Sequence, residues 1–213
     1  MPNVDFAVNG QTRQGYLALP ESGSGPGLLF LHAWWGLNDF FKSQCDRFAA
    51  AGFVVFAPDL HFGKIANTAA EAEQILAERD IEATQATSEA AVPYLQKLPA
   101  KTGDTLCAIG FSMGAMYALE LNATFPDAFS KIVLVYGGAG ADLASGKARF
   151  QAHFAETDHL EPIEEVRKMK APDLELHIYP GTGHWFFESD RPEAYNAEAA
   201  QLAWSRALAF LKS

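Results

Sequence analysis

The sequence feature that most restricts the fold is a regular alternation between short apolar runs and longer segments with helical spacing. Four runs are almost entirely apolar, as strands buried on both faces are: Gly27–His32, Phe53–Pro58, Thr105–Gly110 and Lys131–Tyr136. Between the first two runs, Phe41, Cys45 and Phe48 recur with the spacing of one helix face, and Asn38 is expected to cap that helix. Such alternation predicts an α/β protein with a mostly parallel sheet of about eight strands and helices on both faces.

Local signals predict where several elements lie. Val4–Val8 and Gly15–Leu19 have the character of two short strands and are expected to form a hairpin-like edge. Ala69–Leu98 is predicted to be helical, in one or two helices, with Pro93 interrupting or restarting the pattern. Pro192 is expected to open the last helix.

The composition limits the expected partners and location. Lys and Arg total 16 against 26 Asp and Glu in 213 residues, a net charge of −10 that repels nucleic acids and anionic membranes. No apolar run is long enough to span a bilayer, the N-terminus lacks a basic and apolar leader, and Cys45 and Cys107 make no disulfide framework. We therefore expect one cytoplasmic domain over residues 1–213, as a monomer or a homodimer.

One short motif carries the clearest chemical signal. Gly110-Phe111-Ser112-Met113-Gly114 matches the pattern G-x-S-x-G, directly after a buried run and before a helix-like segment. In this context the pattern forms a sharp strand-to-helix turn that exposes a strained serine. The Ser112 hydroxyl would then lie at a helix N-terminus, where amides and the helix dipole favour developing negative charge. Ser112 is the candidate nucleophile.

A serine nucleophile needs a base, and the base needs an orienting acid. Among six histidines, His184 is the best placed, because it lies on a Gly-flanked loop just past the last predicted strand. Asp158 similarly follows the strand that ends at Ala155. We predict that His184 is the base and Asp158 the acid, with Glu156 as the nearest rival for the acid.

Acyl transfer also requires amides directed at the developing oxyanion. One is expected from Met113, the residue after the nucleophile, and the second from Trp34 in the loop after the strand Gly27–His32. Three aromatic side chains are predicted to contact substrate: Trp35, Tyr136 and Trp185. The adjacent indoles of Trp34 and Trp35 could equally be packed in the core.

Taken together, five segments resemble the dienelactone hydrolase family of α/β-hydrolases: HAWWGLNDFF (32–41), AAAGFVVFAPDL (49–60), GFSMG (110–114), AETDHLEP (155–162) and GTGHWFF (181–187). They follow one another in the family's order, from about residue 15 to the C-terminus. The resemblance implies an α/β-hydrolase fold without a large cap domain. It also supports the roles given above to the triad and to the Trp34 and Met113 amides.

The sequence departs from this family at three positions. The namesake enzymes resemble this chain but carry a cysteine where it has Ser112 and a glutamate where it has Ala33. The two changes agree, because a serine needs a histidine base, and a nearby carboxylate would oppose formation of the oxyanion. Those enzymes also use an arginine for a substrate carboxylate where this chain has Glu188, which argues against anionic substrates.

The expected activity is therefore hydrolysis of small carboxylic esters by a serine hydrolase, through a Ser-His-Asp triad and an acyl-enzyme. No metal or organic cofactor is expected. Two alternatives stay open. The same triad could cleave thioesters or transfer acyl groups, or the fold could be a non-catalytic ligand-binding scaffold.

Overall fold

A computed structural model describes residues 3–213; residues 1 and 2 of the predicted domain 1–213 lie outside this range. The chain divides into two compact units, one ending at Ala108 and the other running from Ile109 to Ser213. That the chain is one domain stays a prediction. The elements are β1 (Asn3–Val8), β2 (Gln11–Ala18), β3 (Gly25–Leu31), α1 (Asp39–Ala50), β4 (Val54–Pro58), α2 (Ala69–Glu78), α3 (Ile81–Gln96), β5 (Lys101–Phe111), α4 (Met113–Thr124), β6 (Phe129–Val135), β7 (Arg149–Ala155), α5 (Ile163–Val166), β8 (Glu175–Tyr179) and α6 (Ala197–Lys212).

The strands form an eight-stranded sheet in the order β1-β2-β4-β3-β5-β6-β7-β8. The pairs β3/β4, β6/β7 and β7/β8 are parallel, whereas β1/β2 and β2/β4 are antiparallel. This confirms the predicted fold class of a mostly parallel sheet with helices. Among residues 3–213, no helix combines the length and the apolar character needed to cross a bilayer.

In the first unit, β1 and β2 form the predicted hairpin. The turn between them is Asn9-Gly10, and both residues have positive φ, 49° and 77°. A two-residue turn of this kind matches the right-handed twist of the paired strands, and Asn-Gly is the preferred sequence for it. The hairpin register pairs Val4 with Gly15.

Helices α1 and α3 cover opposite faces of β3. The ring of Phe30 packs against Phe41 and Phe48 of α1, with centroids 6.1 and 6.4 Å away. Gly27, three residues earlier on the strand, instead faces Leu95 of α3. Since successive side chains point to opposite faces of a strand, the two helices lie on opposite sides. The predicted cap of α1 is confirmed, because the Asn38 side chain accepts the Phe41 N–H at 3.1 Å.

Two helix boundaries differ from the prediction. The break within 69–98 falls at residues 79 and 80 instead of at Pro93, because the Asp80 carboxylate accepts the Ala83 N–H and begins α3 anew. Pro93 lies inside α3, near its end. The last helix begins at Ala197 and not at Pro192, because the Asn196 side chain caps it by accepting the Ala199 N–H at 3.0 Å.

In the second unit, the central strands are covered on both faces. Residues 132–135 of β6 and 150–155 of β7 are all buried, and α4 and α6 both pack against β6. The carboxyl ends of β5, β7 and β8 lead into the segments that carry the predicted triad. Loops at this edge of a parallel sheet are where side chains from separate strands can converge.

A buried histidine joins two loops of the first unit. His32 Nε2 accepts the Leu60 N–H at 3.1 Å, so Nδ1 carries the proton and donates to the Ala33 carbonyl at 2.7 Å. Burial lowers the pKa of His32 from 6.5 to about 4, although the bond to Ala33 acts in the opposite direction. His61 packs edge-on against this ring at 5.3 Å, and burial, together with His32, lowers its pKa to about 3.

These histidines predict a loss of stability in mild acid. The unfolded chain titrates His32 near pH 6.5 and the folded chain near pH 4, so between these values the unfolded state binds more protons. As the pH is lowered through this window, the free energy of unfolding should decrease by about 1.4 kcal/mol per pH unit for this histidine. Urea denaturation between pH 7.5 and 4.5 gives the slope of the free energy of unfolding against pH. For His32→Asn this slope should be smaller by the equivalent of about one proton.

His159→Asn is the matched control, because His159 is exposed. Its pH slope should equal that of the unmodified chain. A His32→Asn slope that also equals it would contradict the prediction.

Candidate active site

Ser112 occupies the predicted strand-to-helix turn. It lies between the last residue of β5 and the first of α4, with φ of 50° and ψ of −113°. Two bonds hold its backbone: its N–H donates to the Val135 carbonyl and its carbonyl accepts the Ala115 N–H, both at 2.9 Å. The turn requires glycine at 110, because a Cβ there would lie 2.6 Å from Ala115 N. The Ser112 side chain makes no capping bond to α4 and is left for other contacts.

His184 is carried by the loop that follows β8. This loop is tied to the loop after β7 by the Gly181 N–H, which donates to Glu156 Oε2 at 2.9 Å, and by the Thr157 N–H, which donates to the Thr182 carbonyl at 3.0 Å. The two loops therefore hold each other, and they bring His184 and Asp158, the predicted base and acid, from neighbouring parallel strands.

The structure brings the three predicted triad residues together. Ser112 Oγ lies 2.9 Å from His184 Nε2, and His184 Nδ1 lies 2.6 Å from Asp158 Oδ2. A carboxylate accepts only, so Nδ1 carries the imidazole proton and Nε2 offers its lone pair to the Ser112 hydroxyl. Both the His184 and the Asp158 side chains are almost fully buried, at 1% and 0% exposure.

Asp158 is held as a carboxylate by several donors. Burial alone would raise its pKa, but the bond and charge of His184, with the Leu160 and Glu161 amides, outweigh burial and place the pKa below its usual value. The two amides donate to Oδ1 at 2.9 and 3.1 Å, while Oδ2 receives His184. Glu156, the rival acid, bonds to Gly181 instead of to the imidazole.

Backbone strain is concentrated around these residues. Five non-glycine residues of the described chain have positive φ: Asn9, Phe62, Ser112, Tyr136 and Trp185. The last three lie at or beside the triad. The Trp185 ring stands perpendicular to the His184 ring at 5.2 Å, and the Tyr136 ring lies 4.8 Å from it. Strained positions of this kind cluster at active sites, where the surrounding structure must hold them.

Tyr136 and Glu188 form a buried pair next to the imidazole. Neither residue is exposed, and the Tyr136 hydroxyl donates to Glu188 Oε1 at 2.6 Å. Burial and the Glu188 charge raise the pKa of Tyr136 well above its usual value, so the hydroxyl keeps its proton. The Glu188 carboxylate accepts from Tyr136 inside the protein, and its expected effect against anionic substrates stays a prediction. In the sequence, the position of Glu188 four residues after His184 was the only signal that this residue lies near the candidate site.

Of the remaining predicted residues, Trp34 and Trp35 belong to the first unit and Met113 to the second. Trp35 is buried and Trp34 partly so, with their rings edge-on at 5.3 Å. The Ala33 carbonyl accepts from His32 and also from the Gly36 N–H at 3.2 Å. That carbonyl and the Trp34 N–H belong to one planar peptide, so these bonds fix the direction of the N–H. Met113 is partly buried as the first residue of α4.

The roles predicted for Trp34 and Met113 in an oxyanion hole, and for the aromatic residues in substrate binding, stay predictions. Sequence reasoning noted His32 only as the end of a strand. Its function as a clamp on the Ala33–Trp34 peptide depends on the Leu60 amide, which lies 28 residues further along the chain. No local pattern reports such a contact.

Known proteins are similar to this chain over nearly its whole length. The sequence profile of the Dienelactone hydrolase family matches residues 14–213. Protein usf from Aquifex pyrophilus is 32% identical and covers 98% of this chain and 96% of its own. A Bradyrhizobium protein named probable 2-oxo-3-(5-oxofuran-2-ylidene)propanoate lactonase is 30% identical over 98% of this chain and 92% of its own.

Solved structures give the same fold. P91, a dienelactone hydrolase-like promiscuous phosphotriesterase from metagenomic libraries, superposes with a TM-score of 0.80 at 24% identity, covering 99% of this chain and 96% of its own. The family profile spans nearly the whole sequence, and the mostly parallel eight-stranded sheet agrees with the fold of the solved structure. The chain belongs to the dienelactone hydrolase family, a family of hydrolases with the α/β-hydrolase fold.

Proposed function

We propose that this protein is a serine hydrolase that cleaves small carboxylic esters through an acyl-enzyme. The observation that carries the proposal is the continuous chain of hydrogen bonds from Ser112 Oγ through the His184 imidazole to the Asp158 carboxylate. This arrangement of nucleophile, base and orienting acid is what activates a serine hydroxyl at neutral pH.

The proposed reaction has two halves. Ser112 Oγ bonds to the ester carbonyl carbon as its proton passes to His184 Nε2; the C–O bond to the alcohol then breaks, and His184 returns the proton to the leaving oxygen. Water next attacks the acyl-enzyme, loses its proton to His184, and the bond to Ser112 breaks as the serine regains a proton. Asp158 stabilises the charged imidazole in both halves.

The developing oxyanion needs donors that are fixed before the reaction. We assign one to the Met113 N–H, since it follows the nucleophile at the N-terminus of α4. The second is assigned to the Trp34 N–H, whose peptide is held through the Ala33 carbonyl by His32 and Gly36. All the charge and proton movements of the proposed mechanism are therefore served by side chains and amides, with no cofactor required.

An ester is the proposed substrate class for two reasons. The lactone cleaved by the enzyme for which the Bradyrhizobium relative is named is a cyclic ester. A serine with a histidine base, in place of the family's cysteine, suits oxygen esters of modest reactivity. The segment from Gly137 to Lys147 is too short for a lid domain, so we expect a small acyl group, contacted by Trp35 and Trp185.

The nucleophile assignment predicts covalent labelling at a single residue. A fluorophosphonate probe should label the unmodified protein at Ser112, and Ser112→Ala should neither react nor hydrolyse p-nitrophenyl esters. Peptide mass spectrometry locates the label. Absence of labelling of the unmodified protein, or equal labelling of Ser112→Ala, would contradict the assignment and favour a non-catalytic scaffold. With an acyl donor, faster transfer to added alcohols than to water would instead identify an acyltransferase.

The acid assignment predicts an asymmetry between two neighbouring carboxylates. Asp158→Asn should lower kcat on an activated ester by about 10³–10⁴-fold, because the imidazole loses the partner that fixes its tautomer. Glu156→Gln is the matched control, since it keeps an oxygen to accept the Gly181 N–H. Steady-state kinetics on both variants checks this. Near-normal turnover by Asp158→Asn with a large loss in Glu156→Gln would transfer the role to Glu156.

A further inference from the structure

The carboxyl end of β6 touches both the nucleophile and the base through two consecutive residues. The Val135 carbonyl accepts the Ser112 N–H at 2.9 Å, and the ring of Tyr136 lies against the His184 imidazole at a centroid distance of 4.8 Å. The separation between the hydroxyl and the imidazole is thus set from one short piece of backbone. Tyr136 has a φ of 36°, a strained value for a residue other than glycine.

The Tyr136 ring is in turn fixed at its far end. Its hydroxyl donates to Glu188 Oε1 at 2.6 Å, and Glu188 lies four residues after His184 in the same loop. The Glu188 N–H donates to the Trp185 carbonyl at 2.9 Å, so the residues that connect the carboxylate to the imidazole form a tight turn. The Tyr136 backbone N–H also donates to the His153 carbonyl at 2.7 Å. The hydrogen bond between Tyr136 and Glu188 therefore connects the end of β6 to the loop that carries His184.

We propose that Tyr136 and Glu188 are positioning residues, which hold the His184 imidazole at hydrogen-bonding distance from Ser112. This inference rests on the proposed function and refines it. Tyr136 then has a positioning role, whereas the sequence predicted contact with substrate. Glu188 is the residue that holds the Tyr136 hydroxyl. The role of Glu188 is to accept a hydrogen bond, and its charge is not required.

The position of an imidazole matters more for rate than for substrate affinity. Misplacement of a catalytic group by about 1 Å can cost about 100-fold in rate, while contacts with the bound substrate are unchanged. Loss of the Tyr136 hydroxyl should therefore lower kcat and leave KM nearly constant. A residue that merely stabilised the fold would lower the unfolding temperature without changing kcat per active site.

The first test compares two Tyr→Phe variants of the full chain. Tyr136→Phe should lower kcat, and the rate constant of fluorophosphonate labelling at Ser112, by the same factor of about 10 to 100. Tyr179→Phe is the control, because this tyrosine is also buried and its hydroxyl lies 2.7 Å from His153 Nδ1, away from the triad. After normalisation to titrated active sites, Tyr179→Phe should keep the unmodified kcat.

The second test examines the acceptor and remains available if Tyr136→Phe does not fold. Glu188→Gln keeps an oxygen for the Tyr136 hydroxyl and should retain kcat close to that of the unmodified protein. Glu188→Met removes the acceptor at similar size and should reproduce the loss expected for Tyr136→Phe, with KM again unchanged.

Three results would overturn the proposal. These are an unchanged kcat in Tyr136→Phe, an unchanged kcat in Glu188→Met, and equal losses in Glu188→Gln and Glu188→Met, which would make the charge the active property. In each case the unmodified protein would still label at Ser112 and hydrolyse esters, so the proposed function would stand. A protein that does not label at all would overturn both.

Discussion

The second unit of this structure is organised around one hydrogen bond, between a hydroxyl and an imidazole 72 residues apart in sequence. A bond of 2.9 Å tolerates little error, and neither partner is rigid by itself. Ser112 is held by a strained turn that requires glycine at 110, and His184 by a loop that is tied to its neighbour. The strain at Ser112 persists because β5, α4 and the Val135 carbonyl leave its backbone no alternative.

Burial strengthens the electrostatic interactions within the triad, and it also requires that the buried Asp158 charge be paired. Asp158 would be costly to bury alone, but it receives the imidazole on one oxygen and two amides on the other. Glu188 is buried nearby and receives the Tyr136 hydroxyl. The fold thus pairs both carboxylates, and we propose different roles for them: Asp158 orients the proton of His184, and Glu188 fixes the Tyr136 ring against the imidazole.

The general architecture could be predicted from sequence because its signals are local. Apolar runs gave the buried strands, Asn38 gave the cap of α1, and Asn9-Gly10 closes the predicted hairpin. Boundaries were less accurate where two local signals competed. Pro93 suggested a break that the Asp80 cap placed earlier, and α3 continues past Pro93 to Gln96.

The candidate site was predictable only in part, for a related reason. Ser112 has a motif, and His184 and Asp158 were found from their position after predicted strands. Tyr136, Glu188 and His32 matter through contacts with residues distant in sequence, namely the Tyr136–Glu188 bond and the bond of His32 to Leu60. Periodicity and motifs carry no information on such pairs.

The proposed mechanism requires that the acyl group of the substrate be carried by Ser112. Rapid quenching of the protein during its reaction with an activated acyl ester, followed by peptide mass spectrometry, measures this directly. We expect the peptide containing Ser112 to gain the mass of the acyl group within the first turnover and to lose it as the acid product forms. Turnover without any acylated peptide, or with the acyl group on another residue, would contradict it.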